Sequence, residues 1–152
     1  MGLIDVASGN SVWRGLDYAK NGKIKSYKQI DDNVHSGIAL GSNGEKYNVF
    51  MDVSHPRKSK CDCPHAKDRR IVCKHIVALY FSVFPKEIDK FFKKVEEAQK
   101  EYEAYEEELE IKLHKYIKSM SKAELQETVL QLLYEGPEWM YDRFIRDRIE
   151  FW

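Results

Sequence analysis

The chain has 152 residues, 43% of them apolar and 33% charged, with 25 Lys and Arg matched by 25 Asp and Glu. This bounds it to one domain, or a small domain with an extension, holding a modest core. The longest apolar run, residues 76–84, is too short for a bilayer and residues 1–9 lack the layout of a secretory signal; zero net charge also excludes strong indiscriminate attraction to polyanions.

Residues 11–20 read as a short helix closed by Asn21-Gly22, a pair that adopts the left-handed geometry of a helix stop. Trp13, Leu16 and Tyr18 are expected to face its core side. Residues 23–30, 34–40 and 47–53 have strand character. Asp31-Asp32-Asn33 turns between the first two, and Ser42-Asn43-Gly44 is a hairpin signal between the second and third. Tyr47, Val49, Met51 and Val53 alternate onto one face. A short strand at 60–63 follows, reached over a loop at 54–59. Together these predict an antiparallel meander of three or four strands. A helix over 73–84 comes next, and Pro85, which suits a first helical turn, marks a bend after it.

From 86 to 118 the chain reads as one long helix. Ile88, Val95, Tyr102, Leu109 and Tyr116 recur every seven residues. A companion row, Phe92, Gln99, Glu106, Leu113 and Met120, is apolar only at its ends. Residues 96–110 carry eight Glu and one Lys. So broken a seam predicts a helix anchored at both ends and partly solvated between. Ser121-Lys122-Ala123-Glu124 is a capping box opening a further helix, with Leu125, Val129, Leu132 and Leu133 inward. Gly136-Pro137 breaks it. Trp139, Met140, Phe144, Ile145 and Ile149 predict a last amphipathic helix, ending in Phe151-Trp152.

All three cysteines lie in one window: Cys61-Asp62-Cys63, nine residues, then Cys73-Lys74-His75. A tetrahedral zinc ion asks for three or four N/S ligands converging from short pieces of backbone. Cys61 and Cys63, two apart on an extended strand, point to one face. Cys73 and His75, also two apart, share a metal only around a helix start, where the chain is still turning. A Cys61–Cys63 disulfide would close a very small, strained ring. A redox pair leaves Cys73 and His75 unused, and an iron–sulfur cluster usually asks for four thiolates. The expectation is a closed zinc site of Cys61, Cys63, Cys73 and His75. His65 competes with His75 for the fourth place, and the clean Cys73-x-His75 spacing favours His75.

This C-x-C-x(n)-C-x-H arrangement resembles the SWIM zinc finger. The likeness extends to a lead-in, Trp13-Arg14-Gly15-Leu16-Asp17-Tyr18 with Asn21-Gly22-Lys23-Ile24, and to Cys73-Lys74-His75-Ile76-Val77-Ala78-Leu79. It spans about residues 11–84, and the capping-box helix with its following Pro-Glu is similar to the tail of some bacterial members. The resemblance implies a ββα zinc module that binds nucleic acid or protein. The fold expectation is therefore α+β: a small antiparallel β-meander with a ββα zinc knuckle, then a long helix and a C-terminal helical hairpin. The division expected is 11–84 for the zinc-binding domain and 85–152 for the helical extension.

Zero net charge hides an asymmetry. Residues 1–85 hold 13 Lys and Arg against 8 Asp and Glu, and the remainder holds 12 against 17. Arg57, Lys58, Lys60, Lys67, Arg69, Arg70 and Lys74 gather around the ligands. Three thiolates on Zn²⁺ leave one net negative charge, which seven cations exceed. They are the candidate nucleic-acid contacts, weak and sequence-tolerant because no base-reading set accompanies them. The alternative is a protein–protein adaptor using the acidic helix and the aromatic C-terminus, with self-association through 86–152. No nucleophile motif, phosphate-binding glycine loop or H-E-x-x-H is present, so neither an enzyme nor a small-molecule substrate is expected. Zinc-bound thiolates suit a reducing compartment, the cytoplasm.

Overall fold

The computed structural model describes residues 2–150. Phe151 and Trp152, the expected end of the last helix, lie outside the described residues. Contacts divide the chain at Glu96–Glu97 into two compact units.

The first unit begins with a four-residue helix, α1 (Leu3–Val6), and a longer one, α2 (Gly9–Lys20). Four strands follow: β1 (Ile24–Asp31), β2 (Val34–Leu40), β3 (Lys46–Asp52) and β4 (Lys60–Cys61). They form one antiparallel sheet in the order β1-β2-β3-β4, the expected meander. The β2–β3 turn places Gly44 at φ 90°, a conformation that glycine adopts without penalty. A 3-10 turn, Pro56–Lys58, leads into β4. Helix α3 (Lys74–Val83) closes the module and stops before Pro85, whose ring disfavours helical geometry in the preceding residue.

Period-two alternation decides which face of the sheet is covered. Val49 and Met51 are buried, with Tyr47 and Val53 packed at the margin. Ile76, Val77, Leu79 and Phe81 of α3 join the same core, as a helix apolar nearly all round must. Helix α2 adds Val12 and Leu16. It comes close to α3 because Gly15 offers no side chain: a Cβ there would sit 2.5 Å from Val77 Cβ and 2.9 Å from the Lys74 carbonyl oxygen.

Leu3 of α1, 1% exposed, is a core residue that no periodicity announced. Leu16 and Tyr18 are buried as expected, but Trp13 is not: it is 48% exposed. Its ring meets Phe91 edge-on at 5.1 Å and Phe92 at 6.1 Å, so it covers the first turns of the next helix instead of filling the core.

That helix, α4 (Lys86–Ser119), is unbroken. Ile88 and Phe91 pack against the first unit's core. From Glu97 onward the second unit comprises the rest of α4, α5 (Lys122–Glu135) and α6 (Glu138–Arg148), and none of its described residues is buried. Anchoring of α4 at its far end is thus not found among the described residues. The capping box forms, with the Glu124 backbone N–H donating to Ser121 Oγ and the Ser121 N–H donating to Glu124 Oε2. Leu125 and Leu133 are half-buried, whereas Val129 and Leu132 are exposed, so only part of the expected inward row turns in. No described helix is long and apolar enough to cross a membrane.

Candidate metal centre and the groove beside it

The four ligand candidates come from two structural seams. Cys61 ends β4, where Val49 pairs with it and directs its thiol to the covered face. Asp62 fixes that strand end: its carboxylate accepts from both the backbone N–H and the side-chain amide of Asn48, each at 2.8 Å. At Cys63 the chain turns sharply, the Cys63 carbonyl accepting from the N–H groups of Ala66 at 3.0 Å and Lys67 at 2.9 Å. Cys73 is the N-cap of α3, still extended at φ −85° and ψ 171°, and His75 lies in the first turn. This is the helix start that the Cys73-x-His75 spacing requires.

Cys61, Cys63, Cys73 and His75 are all buried, and their ligand atoms lie within 4.8 Å of one another. Cys63 Sγ is 3.8 Å from Cys73 Sγ, and Cys61 Sγ is 3.7 Å from His75 Nδ1. A tetrahedral zinc with Zn–S about 2.3 Å and Zn–N about 2.0 Å spaces its ligands by about 3.5–3.8 Å. The geometry fits. His65 is not among the four.

Electrostatics supply the second test of fit. Burial pushes the Cys63 thiol up. Cys61 is also pushed up, chiefly by its hydrogen bond to Cys73 and then by burial. Cys73 is pulled down by that same bond, helped by His75 and the amides opening α3. Burial and mutual repulsion thus oppose three thiolates standing together without a cation. A divalent cation removes the conflict by making three thiolates favourable at once. The Cys₃His group is placed to bind a zinc ion.

Aromatic walls hold the histidine. His75 lies 4.9 Å from the Tyr47 ring and 5.5 Å from the Tyr18 ring, and its buried Nε2 has no hydrogen-bond partner among the described residues.

The match to known families falls on these residues. Positions 47–84 match the family model of the SWIM zinc finger. This segment is a SWIM zinc finger. It takes in nearly all of β3, the 3-10 turn, β4, the ligand loop and α3, while α2, β1 and β2, with the Trp13–Ile24 lead-in, precede the match. No curated protein and no solved structure matched the chain.

Beside the SWIM finger's metal centre runs an open groove of about 1620 Å³. Arg57, Lys58, Lys60, Lys67, Arg69 and Arg70 all line it, with Asp62 and Asp68 as the acidic members. Its wall also includes Phe50, which pairs with Lys60 across β3–β4 and lies on the sheet face opposite Val49 and Met51.

Lys74, the seventh cation, lies elsewhere. Its Nζ donates to Tyr18 Oη at 2.6 Å and to Ser42 Oγ at 3.4 Å, and sits 4.2 Å from the Tyr18 ring centroid. With Arg14 it lines a smaller cavity of about 380 Å³ whose wall includes Cys63, Cys73 and His75. Sequence reasoning placed Tyr18 and Tyr47 on inward faces and Arg14 in the lead-in but gave none of them, nor Asn48, a part in the site. The hairpin signal and strand alternation placed β3, but only the β3–β4 register reveals that Asp62 answers Asn48.

Proposed function

We propose that this protein is a non-catalytic nucleic-acid-binding protein, in which Cys61, Cys63, Cys73 and His75 hold a structural zinc that shapes the basic groove beside it. One observation carries the reading. Six of the seven cations singled out by sequence, drawn from the 3-10 turn, β4 and the ligand loop, line a single concave surface. The metal pins both ends of that loop, so the cations are presented on a fixed frame instead of a mobile tether. Phosphate contacts of this kind orient a strand without reading its sequence. Four protein ligands fill the tetrahedron, leaving no position for an activated water. Three zinc-bound thiolates suit the reducing cytoplasm.

The test is fluorescence-anisotropy titration of labelled DNA and RNA, single- and double-stranded, over a range of salt. Six phosphate contacts give a log–log salt slope no steeper than about −5 on duplex and about −4 on a single strand. Reversing Arg69 and Arg70 to Glu is expected to abolish binding while zinc content stays unchanged. Undiminished binding by that variant would overturn this use of the groove. The exposed aromatic side chains of the second unit support a second reading, a protein-contact surface serving as an adaptor.

A further inference from the structure

Helices persist in water mainly by burying an apolar face against something. Within the second unit that burial is slight: no described residue from Glu97 to Glu150 is fully buried. Yet α4 carries an unbroken apolar stripe there. Tyr102, Tyr105, Leu109, Leu113 and Tyr116 follow one another at spacings of three or four and are each between 51% and 65% exposed. Half-buried Met120 extends the stripe one further step, just past the helix end. Choosing Tyr105 rather than Glu106 as the second step restores the continuity that a strict seven-residue count breaks. Tyr134 and Tyr141 stack on each other within α5–α6, 6.1 Å apart, and leave the α4 stripe uncovered.

We infer that the occupant of this stripe is a second copy of the same chain, with the two α4 helices antiparallel and crossing near Ile111. That register sets Leu109 of each copy level with Leu113 of the other, Tyr105 level with Ile117, and Tyr102 level with Met120. Charge decides the direction. The stretch 96–110 holds eight Glu, whereas Lys112, Lys115 and Lys118 follow it on the same helix. A parallel, in-register pair would stack the glutamates on their own copies. The antiparallel pair brings the acidic stretch beside the partner copy's basic end, with Glu108 close to Lys115 twice over by symmetry. Glu108 already reaches Lys112 within its own helix at 2.6 Å, an exposed pair that holds the Glu108 carboxylate below its usual range. The paired helices run together over roughly 27 Å, the length of 18 helical residues.

Sedimentation equilibrium of the full, zinc-loaded chain tests the inference. The natural sequence is expected to dimerise in the micromolar range, and Leu109→Glu with Leu113→Glu to be monomeric at every concentration. Both leucines are exposed within a single chain, so zinc content and the circular dichroism of the first unit should be unchanged. Glu108→Lys alone, or Lys115→Glu alone, should weaken the dimer by about tenfold, and the two together should restore it. A monomeric natural sequence would overturn the proposal. So would a dimer that tolerates both leucine substitutions, or one in which the double charge swap is as weak as the single changes.

Discussion

Cys61 Sγ and His75 Nδ1 stand 3.7 Å apart although fourteen positions separate them, joining the end of β4 to the first turn of α3. Cys63 and Cys73 span the same gap at 3.8 Å. A metal gripping both pairs is a cross-link between sheet and helix. The intervening loop, with Lys67, Arg69 and Arg70, is held at both ends by it.

Replacing Cys73 with Ser should therefore do more than remove one ligand. Zinc affinity is expected to fall by more than the roughly 10–100-fold typical of a lost supporting contact, and the first unit should lose much of its metal-linked stability. Chelator competition followed by thermal unfolding, with and without zinc, reads both effects. An unchanged affinity would remove Cys73 from the ligand set.

Asp62 is not one of the four clustered ligands, but it stands between two of them and its carboxylate ties that stretch of chain to Asn48. Asp62→Ala should loosen zinc by about tenfold, since a poorly held ligand pair must be ordered when the ion binds. Asn48→Asp, which sets two carboxylates against each other, should do at least as much. Competition with a chromogenic chelator gives the numbers.

Two glycine-to-alanine changes should act in opposite directions. At Gly15 the new methyl group meets Val77 and the Lys74 carbonyl oxygen inside normal contact distance, and overpacking of this kind costs about 1–3 kcal/mol. At Gly9 it meets nothing within 4 Å, so the helix-favouring alanine should stabilise by up to about 1 kcal/mol. Urea unfolding at fixed zinc concentration separates them.

His35 gives the first unit a pH dependence of its own. It is 5% exposed, meets the Phe84 ring edge-on at 5.5 Å, and its Nε2 has no partner among the described residues. Burial holds its pKa below the ordinary 6.5. The unfolded chain then binds a proton more readily than the folded one, so stability declines as pH drops below 6.5 through the folded-state value. His35→Leu should flatten this part of the profile. Zinc loss on acidification is common to both proteins, and the difference between their stability–pH curves isolates His35.

Much of this architecture was readable in advance, for identifiable reasons. Gly44 and the alternation of Tyr47, Val49, Met51 and Val53 mark a hairpin and a one-sided strand locally, and Ser121 with Glu124 marks a helix start. The ligand set was legible because Cys and His at those spacings have few other uses. Trp13 was misplaced because its partners, Phe91 and Phe92, lie on a helix far along the chain. Leu3 sits in an element too short to show a period. The groove depends on how the 3-10 turn and the ligand loop flank β4, a relation no local pattern encodes. On α4, strict heptad counting substituted Glu106 for Tyr105 and so concealed a stripe that a straight helix of 3.6 residues per turn makes continuous.

X-ray absorption at the zinc edge, combined with elemental analysis of the purified 152-residue chain, bears most directly on the central claim. One zinc per chain is predicted, with three sulfur neighbours at about 2.3 Å and one nitrogen at about 2.0 Å. Substoichiometric metal after zinc-replete purification, or a shell dominated by oxygen and nitrogen, would contradict it.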